Sequence, residues 1–252
     1  MQDIFVKDSG NGTPLVLVHG FLGSSEIWIP QIKFFKDSFR VIAPALPGFG
    51  NSNDMNSCNS IECMAKTILN FLEKKKIKNF NLLGHSMGGM IVQEMAKIAG
   101  EKILKLICYS TGPRGNIPGR FETIDESRKK LKINGLKHTA YRIAKTWFTE
   151  EEKAKYFYLC EKAGKQTSIE AADNGLVAMK NWDGVKNLKN IENETLIIWG
   201  DQDKVYNLNQ VECLNDNIPN SELKIIKGCS HNVHLEKPDE FNIIVSEFLK
   251  KN

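Results

Sequence analysis

The stretch from Asn79 to Gly89 reads NFNLLGHSMGG and decides the fold of the chain. Its first five residues are typical of a buried strand, and a helix is predicted to begin near Met87. The pattern Gly-x-Ser-x-Gly joins the two and places Ser86 in a strained turn. Only glycine is comfortable two residues before and after such a serine, because a larger side chain would collide with the neighbouring strand and helix. We therefore interpret Ser86 as a candidate nucleophile; the simpler alternative is a serine that caps a helix.

Outward from this turn, short apolar runs alternate along the chain with longer amphipathic stretches. The runs are rich in leucine and β-branched residues, as in a parallel sheet that helices cover on both faces. Strands are predicted at Ile4–Lys7, Leu15–Val18, Arg40–Ala43, Phe80–Leu83, Leu106–Tyr109, Leu196–Trp199 and Leu223–Ile226. Helices are predicted at Ile61–Lys76, Met87–Ala99, Asn207–Asn217 and Pro238–Lys250. This alternation predicts an α/β fold with a doubly wound, mostly parallel sheet.

One long segment, residues 111–190, interrupts the alternation. It contains no convincing strand, and its helical patterns cover Arg120–Asn134, Leu136–Trp147, Glu150–Ala163 and Ser168–Trp182. An insertion after the fifth or sixth strand would emerge at the C-terminal edge of the sheet, above the crevice where ligands bind. We predict that residues 111–190 form a helical cap, or lid, over a core made of residues 1–110 and 191–252.

A serine hydroxyl is a weak nucleophile until a base removes its proton. The chain offers five histidines for this role: His19, His85, His138, His231 and His234. We expect His19 to brace the loop that follows it, His85 to pack beside the turn and His138 to lie on the lid surface. The other two follow the last predicted strand. His231 is favoured because it comes sooner after that strand, and His234, which begins the approach to the next helix, is the alternative.

A third group must orient the imidazole and stabilise its cation. Asp201 and Asp203 both follow the strand that ends at Trp199. Asp203 is favoured, whereas Asp201 is expected to brace its own loop through backbone N–H groups. From Asp203 to His231 is 28 residues (231 − 203), which is enough for one helix and one returning strand.

The negative charge of a tetrahedral intermediate requires backbone donors close to the nucleophile. The N–H of Met87 lies directly after Ser86 at a helix N-terminus, and the N–H of Phe21 lies in the glycine-bearing loop after Gly20. We predict that these two N–H groups form an oxyanion hole; the alternative for the Phe21 loop is an ordinary strand-to-helix turn.

The bulk composition is that of a folded globular domain, with 41% apolar and 25% charged residues. The net charge of +4 is small and its lysines are spread along the chain, so no nucleic-acid partner is predicted. No apolar run approaches the ~20 residues that cross a bilayer, and the N-terminus enters a strand directly. The sequence therefore predicts neither a membrane partner nor a signal peptide.

Six cysteines are scattered along the chain, and the closest pair, Cys58 and Cys63, lacks the two-residue spacer of common zinc sites. The glycine-bearing loops Pro47–Ser52 and Gly10–Pro14 lack the features of dinucleotide and phosphate sites. We therefore predict no metal, no cofactor and a reduced, cytoplasmic protein. The oligomeric state is left open.

Taken together, several stretches resemble the α/β-hydrolase fold superfamily: His19-Gly20-Phe21, Pro47–Ser52, Gly84–Gly89, Gly200–Asp203 and Gly228–Pro238. The resemblance implies the α/β-hydrolase fold, the triad order Ser, Asp, His and a base in the loop after the last strand.

At the subfamily level, Ser86–Gln93 with Trp147-Phe148-Thr149 resembles the 3-oxoadipate enol-lactonases, and Met179–Asp183 resembles the meta-cleavage product hydrolases, which cut carbon–carbon bonds. A menaquinone-pathway synthase is also similar, but that family is expected to carry an arginine where this chain has Met90.

These residues predict a serine hydrolase that acts on a small ester or lactone, a small-molecule substrate that could bear a carboxylate. The alternatives are a carbon–carbon hydrolase or lyase with the same triad, and a binding protein on a hydrolase scaffold. Substrate contacts are predicted within the lid. Arg114, Arg120 and Arg142 are candidates to bind a carboxylate, or are solvated lid residues; Trp147 and Trp182 line the pocket, or pack in the core.

Overall fold

The computed structural model of the protein describes residues 3–251, which contain one seven-stranded sheet. Its strands are β1 (Val6–Ser9), β2 (Pro14–Val18), β3 (Arg40–Pro44), β4 (Phe80–His85), β5 (Ile103–Tyr109), β6 (Thr195–Gly200) and β7 (Ser221–Ile226). Their order across the sheet is β1-β3-β2-β4-β5-β6-β7. Only the edge strand β1 is antiparallel to its neighbour within this part of the chain. The predicted mostly parallel α/β fold is confirmed; residues 1, 2 and 252 of the predicted core lie outside the described residues.

Helices cover both faces of the sheet. They are α1 (Ile29–Phe35), α2 (Ile61–Lys74), α3 (Met87–Ala99), α4 (Ile124–Lys145), α5 (Phe157–Lys165), α6 (Ile169–Asn181), α7 (Leu208–Asn217), α8 (Val233–Glu236) and α9 (Pro238–Lys250). Every residue of β4 is buried, as expected for a central strand of a sheet packed on both sides. The carboxyl ends of β4, β5, β6 and β7 are neighbours and open onto the same edge of the sheet.

The N-terminal edge strand differs from its predicted position at Ile4–Lys7. The strand β1 begins two residues later because its register is fixed by β3, where Val6 lies opposite Pro44 and Ser9 opposite Val41. Alternation within a short edge segment does not specify the register; the partner strand does.

The segment between β5 and β6 contains α4, α5 and α6, and its two ends meet at a bridge between Arg114 and Asp183. Helix α4 begins at Ile124 rather than at Arg120, because Thr123 caps it in a reciprocal capping box with Glu126. The two helices predicted on either side of Gly135 form one element with a break at that residue, where φ is 74°. The lid function of this segment stays a prediction.

This helical segment contacts the core beside two loops. The N–H of Ser168, just before α6, donates to the carbonyl of Gly48 at 2.8 Å, and Asn174 Nδ2 donates to Ser57 Oγ at 2.9 Å. On the other side, the N–H of Asn232 donates to the carbonyl of Trp147 at 3.0 Å. The segment is therefore joined by hydrogen bonds to the loop that carries His231.

Two of the six cysteines, Cys58 and Cys63, form a disulfide. The prediction that all cysteines are reduced is wrong for this pair: Ser60 caps α2 by accepting from the N–H of Cys63, and this turn brings the two Cα atoms within 5.7 Å. The other four cysteines are free. A cytoplasmic location stays a prediction, to which this disulfide lends no support. Among residues 3–251, no helix is long and apolar enough to cross a membrane.

Candidate active site

Ser86 occupies the tight turn between β4 and α3 with φ 57° and ψ −118°, a conformation that few non-glycine residues adopt. The glycines around it are sterically required. A Cβ on Gly84 would lie 2.3 Å from the carbonyl oxygen of Gly88, and a Cβ on Gly88 would lie 2.3 Å from the carbonyl oxygen of Val18 in β2. The predicted collision with the adjacent strand and helix is confirmed, and the turn presents Ser86 at the carboxyl edge of the sheet.

Hydrogen bonds from β5 and the residues after it hold this turn. The N–H of Ser86 donates to the carbonyl of Tyr109 at 3.0 Å, and the hydroxyl of Thr111 donates to the carbonyl of Ser86 at 2.8 Å. The Ser86 side chain is nearly enclosed, with the residue 7% exposed. Because both ends of its peptide unit are fixed, the strained conformation is held by the surrounding structure.

His231 and Asp203 meet in the loops that follow β7 and β6. The Nδ1 of His231 lies 2.9 Å from Oδ2 of Asp203, and both side chains are fully buried. The other carboxylate oxygen of Asp203 accepts from the N–H groups of Val205, at 2.7 Å, and Tyr206, at 3.2 Å. Since the carboxylate only accepts hydrogen bonds, it fixes the proton on Nδ1 and leaves Nε2 as the nitrogen that can take a proton.

Aromatic rings surround the imidazole of His231. The ring of Tyr206 stacks on it, the ring of Trp147 lies with its centroid 6.0 Å away, and the ring of His85 lies 4.6 Å away. Its backbone carbonyl accepts hydrogen bonds from the hydroxyl of Tyr109 at 2.9 Å and from Nε2 of His85 at 3.2 Å. The position of the imidazole is therefore fixed both at its side chain and at its backbone.

The Ser86 hydroxyl lies close to the hydroxyl of Tyr206. Burial raises the pKa of Tyr206 to about 12, against the opposing effects of the Arg120 charge and of the Ser86 and Thr111 hydroxyls. Residues 3–251 contain no direct hydrogen bond between the Ser86 hydroxyl and the His231 ring. In ligand-free enzymes such contacts are often long and tighten only with substrate.

The remaining histidines of the core are buried and serve the structure. Nδ1 of His19 donates to the carbonyl of Gly20 at 2.8 Å and its Nε2 accepts from the N–H of Leu46 at 3.0 Å, so it braces the loop as predicted. His234 contacts the hydroxyl of Tyr109 at 3.0 Å. Burial lowers the pKa of His19 to about 4 and that of His234 to about 3. His234 therefore has the tyrosine as its partner, whereas His231 has the carboxylate.

Asp201 accepts a backbone N–H, as predicted, but the donor is Gly228 at 2.7 Å, so it braces the neighbouring loop after β7 and not its own loop. The two carboxylates therefore have different contacts: Asp203 faces the imidazole of His231, and Asp201 faces the backbone N–H of Gly228.

Two backbone N–H groups next to Ser86 have no acceptor within the part of the chain that the structure describes. They belong to Met87, the first residue of α3, and to Phe21, in the loop after β2. The Phe21 loop lies against the nucleophile, since a Cβ on Gly20 would lie 2.9 Å from Cβ of Ser86. The arrangement has the donors that an oxyanion requires.

Three of the side chains predicted to contact substrate are bound instead to carboxylates of the protein itself. Arg114 pairs with Asp183 at 3.1 Å, Arg142 pairs with Glu122 at 2.8 Å, and the indole N–H of Trp182 donates to Glu94 at 3.2 Å. Each carboxylate is distant in the chain from the side chain that it pairs with. Sequence patterns do not reveal such pairs.

The other two candidates lie near His231 and Asp203. Trp147 is buried against the His231 ring, and Arg120 lies within electrostatic range of Tyr206 and Asp203. Tyr206 was not predicted as a site residue, although it follows Asp203 by three residues in the same loop.

Comparisons with known proteins show the family. A family described as the alpha/beta hydrolase fold matches residues 13–238. A pimeloyl-(acyl-carrier protein) methyl ester esterase of Legionella pneumophila (strain Corby) is 28% identical over 250 residues, which cover 99% of this chain and 100% of that protein.

Among solved structures, the enol-lactonase from Burkholderia xenovorans LB400 superposes with a TM-score of 0.90 at 22% identity, covering 98% of this chain and 96% of that chain. The meta-cleavage product hydrolase from Pseudomonas fluorescens IP01 superposes with a TM-score of 0.78 at 20% identity, covering 97% and 93%. The resemblance predicted from the sequence is confirmed, and at these identities the two structures establish the fold.

Proposed function

This chain belongs to the α/β-hydrolase fold family and is a hydrolase, and we propose that it uses Ser86, His231 and Asp203 as a catalytic triad on a small ester or lactone. The observation that carries the proposal is the buried His231–Asp203 pair at 2.9 Å, at the same sheet edge as a serine in a strained turn. A binding protein would have no need of a fixed imidazole tautomer beside such a serine.

In the proposed reaction, Ser86 attacks the substrate carbonyl while Nε2 of His231 takes the hydroxyl proton, and Asp203 stabilises the resulting imidazolium. The N–H groups of Phe21 and Met87 hold the oxyanion, each contributing about 3 kcal/mol to lowering the barrier. His231 then protonates the leaving oxygen, and the acyl-enzyme forms. Water, activated by His231, releases the acid and restores Ser86.

An ester or lactone is favoured as the substrate for two reasons. The relative from Legionella is named as a methyl ester esterase and matches this chain over its whole length. The free N–H groups of Phe21 and Met87 suit a tetrahedral oxyanion, which ester and lactone hydrolysis both form. We also propose that residues 111–190 act as a lid, because Ser86 is nearly enclosed and Trp147 from this segment covers His231.

The proposal is tested by hydrolysis of p-nitrophenyl acetate and by labelling with a fluorophosphonate probe. We expect Ser86→Ala to abolish both, with a drop of about 10⁶-fold in kcat as for other serine hydrolases. Ser246→Ala, in a part-buried position of α9, is the matched control and should behave as the wild type. If the wild-type protein neither hydrolyses the ester nor reacts with the probe, it is a binding protein on this scaffold.

A carbon–carbon hydrolase would use the same three side chains, so the substrate must separate the two functions. We expect the protein to open an enol-lactone and to leave a vinylogous 1,5-diketone intact. The reverse preference would assign carbon–carbon cleavage instead.

A further inference from the structure

The chain contains five arginines, and four of them are paired with carboxylates. The pairs are Arg40 with Asp8, Arg114 with Asp183, Arg128 with Asp173, and Arg142 with Glu122, all with nitrogen–oxygen distances of 2.6 to 3.1 Å. Within residues 3–251, the side chain of Arg120 donates no hydrogen bond and forms no ion pair with a carboxylate. Its Nε is completely buried without an acceptor.

The surroundings of Arg120 hold the guanidinium in place without neutralising it. The ring of Phe121 lies beneath it, with Cζ 5.6 Å from the ring centroid. Glu122 is two residues away but already accepts from Ser127, Lys130 and Arg142. An arginine stays protonated at any physiological pH, so this side chain keeps a positive charge that no carboxylate of the described residues pairs with directly.

Arg120 faces the proposed active site through the loop of Tyr206. Its charge acts on both Tyr206 and Asp203, and Tyr206 in turn lies beside the Ser86 hydroxyl. The segment that carries Arg120 is joined to the same loop, since Asn207 Nδ2 donates to the carbonyl of Pro118 at 3.2 Å. The segment that carries Arg120 and the loop that carries Tyr206 are therefore in direct contact beside Ser86.

A buried charged donor without an acceptor destabilises the folded protein unless a ligand satisfies it. The guanidinium presents parallel N–H groups that match the two oxygens of a carboxylate. Arg40 and Arg128 are used in that way by the protein itself, and Arg114 and Arg142 each pair with a carboxylate through one nitrogen.

We infer that Arg120 binds a carboxylate of the substrate, so that the enzyme selects esters or lactones that carry a second, free acid group, such as monoesters of short dicarboxylic acids. The inference deepens the proposed function and rests on it. Arg120 thereby sets the specificity of the site, and the reaction releases a dicarboxylic acid or a hydroxy acid of that class.

The first experiment compares two esters of the same leaving group, mono-p-nitrophenyl glutarate, which carries a free carboxylate, and p-nitrophenyl butyrate, which does not. The quantity measured is the ratio of their kcat/KM values. We expect Arg120→Met to lower this ratio by about 10- to 100-fold, the range for a lost hydrogen bond to a charged group. Arg120→Lys keeps the charge and loses the paired geometry, so its ratio of kcat/KM values should lie between those of the wild type and of Arg120→Met.

The matched control is Arg128→Met, which removes the same charge from the same helical segment but from a pair with Asp173. It should leave the ratio as in the wild type. Circular dichroism and thermal unfolding confirm that each variant is folded. A ratio that is the same in Arg120→Met and in the wild type would overturn the inference while leaving the hydrolase intact.

The second experiment does not depend on turnover. Binding of glutarate is measured by titration calorimetry on Ser86→Ala, with and without Arg120→Met. We expect the added substitution to weaken binding by at least about 10-fold. Glutarate binding that needs Arg120, in a wild-type protein that hydrolyses no ester, would support the anion site and reject the proposed function. Binding that is indifferent to Arg120 would reject the anion site.

Discussion

The ring of Tyr206 stacks on the imidazole of His231, with centroids 5.8 Å apart and an angle of 16° between the planes. The backbone N–H of the same tyrosine donates to Asp203, the carboxylate that orients that imidazole. One residue therefore fixes the His231 imidazole in two ways, by stacking on its face and by a hydrogen bond to the carboxylate that it contacts.

We expect Tyr206→Leu to lower kcat/KM by about 10-fold, since an aromatic pair contributes about 0.5–1.5 kcal/mol beyond its burial. Tyr206→Phe keeps the stacked ring and should lose less activity. Steady-state kinetics with p-nitrophenyl acetate make the comparison. Equal losses in the two variants would mean that the hydroxyl, and not the ring, is what the site needs.

Gly88 is required because its Cα packs directly on the backbone of β2. A Cβ there would lie 2.3 Å from the carbonyl oxygen of Val18 and 2.7 Å from that of His19, and neither strand atom can move aside. Gly88→Ala should therefore lower the free energy of unfolding by about 1–3 kcal/mol or more, measured by urea denaturation. Gly100→Ala is the control, because a Cβ there meets only Asn193 Oδ1 at 3.5 Å. It should change stability by less than about 0.5 kcal/mol.

Stability should fall as the pH falls from about 6.5 to about 4. Burial lowers the pKa of His19 to about 4 and that of His234 to about 3, from an ordinary value of 6.5, and it lowers the pKa of His85 as well. The unfolded chain takes up protons on these histidines near pH 6.5, while the folded protein does not until the pH is much lower. Each histidine therefore removes about 1.4 kcal/mol of stability per pH unit across this window.

Urea denaturation at pH 7 and pH 5 measures this effect. His138, exposed on the helical segment, supplies the control, and His138→Gln should leave the difference between the two pH values unchanged. A free energy of unfolding that is the same at pH 7 and pH 5 would contradict the neutral, buried state of these rings.

Glu236 links the helical segment to the loop of His231. One of its carboxylate oxygens accepts from the N–H of Thr149 at 2.7 Å, and the other accepts from the N–H of Ser230 at 2.7 Å. In Glu236→Gln, an amide N–H₂ would face one of these donors, so we expect a loss of about 1–3 kcal/mol in stability. Because Ser230 precedes His231, kcat/KM should also fall. The neighbouring Glu240→Gln, at an exposed position, is the control, and equal effects in the two variants would argue against the link.

The disulfide between Cys58 and Cys63 predicts how many free thiols the protein contains. Protein purified without reductant and unfolded in guanidinium should expose four thiols to Ellman's reagent, from Cys108, Cys160, Cys213 and Cys229. After reduction the count should be six. Six thiols before reduction would show that Cys58 and Cys63 are not paired and would restore the prediction of a fully reduced protein.

Much of the fold was predictable because its signals are local. The bounds predicted for α3 and α9 agree with the structure, and the strand before Ser86 lies where its apolar run indicated. Gly135 was predictable as a boundary, since it breaks the helical pattern and has a positive φ. The edge strand β1 was misplaced because its register depends on β3, a strand more than 30 residues away.

The candidate site divides in the same way. Ser86, Asp203 and His231 each stand in a loop directly after a strand, so their types and their order predict them as candidate site residues without coordinates. Tyr109 and Thr111 act on the site through contacts with other loops, and their own neighbours in the chain give no sign of it. Tyr206 lies in the loop of Asp203, but its ring stacks on His231 in another loop.

The strained turn at Ser86 could be predicted from the chain alone, because the glycines that permit it lie within two residues and the reason they are required is steric and local. Only the tertiary structure decided which arginine is left without a carboxylate. Arg142 and Arg120 look alike in the chain, but Glu122 forms an ion pair with Arg142 and none with Arg120 among the described residues. Electrostatic pairing depends on distances of a few ångströms between side chains, and folding alone sets those distances.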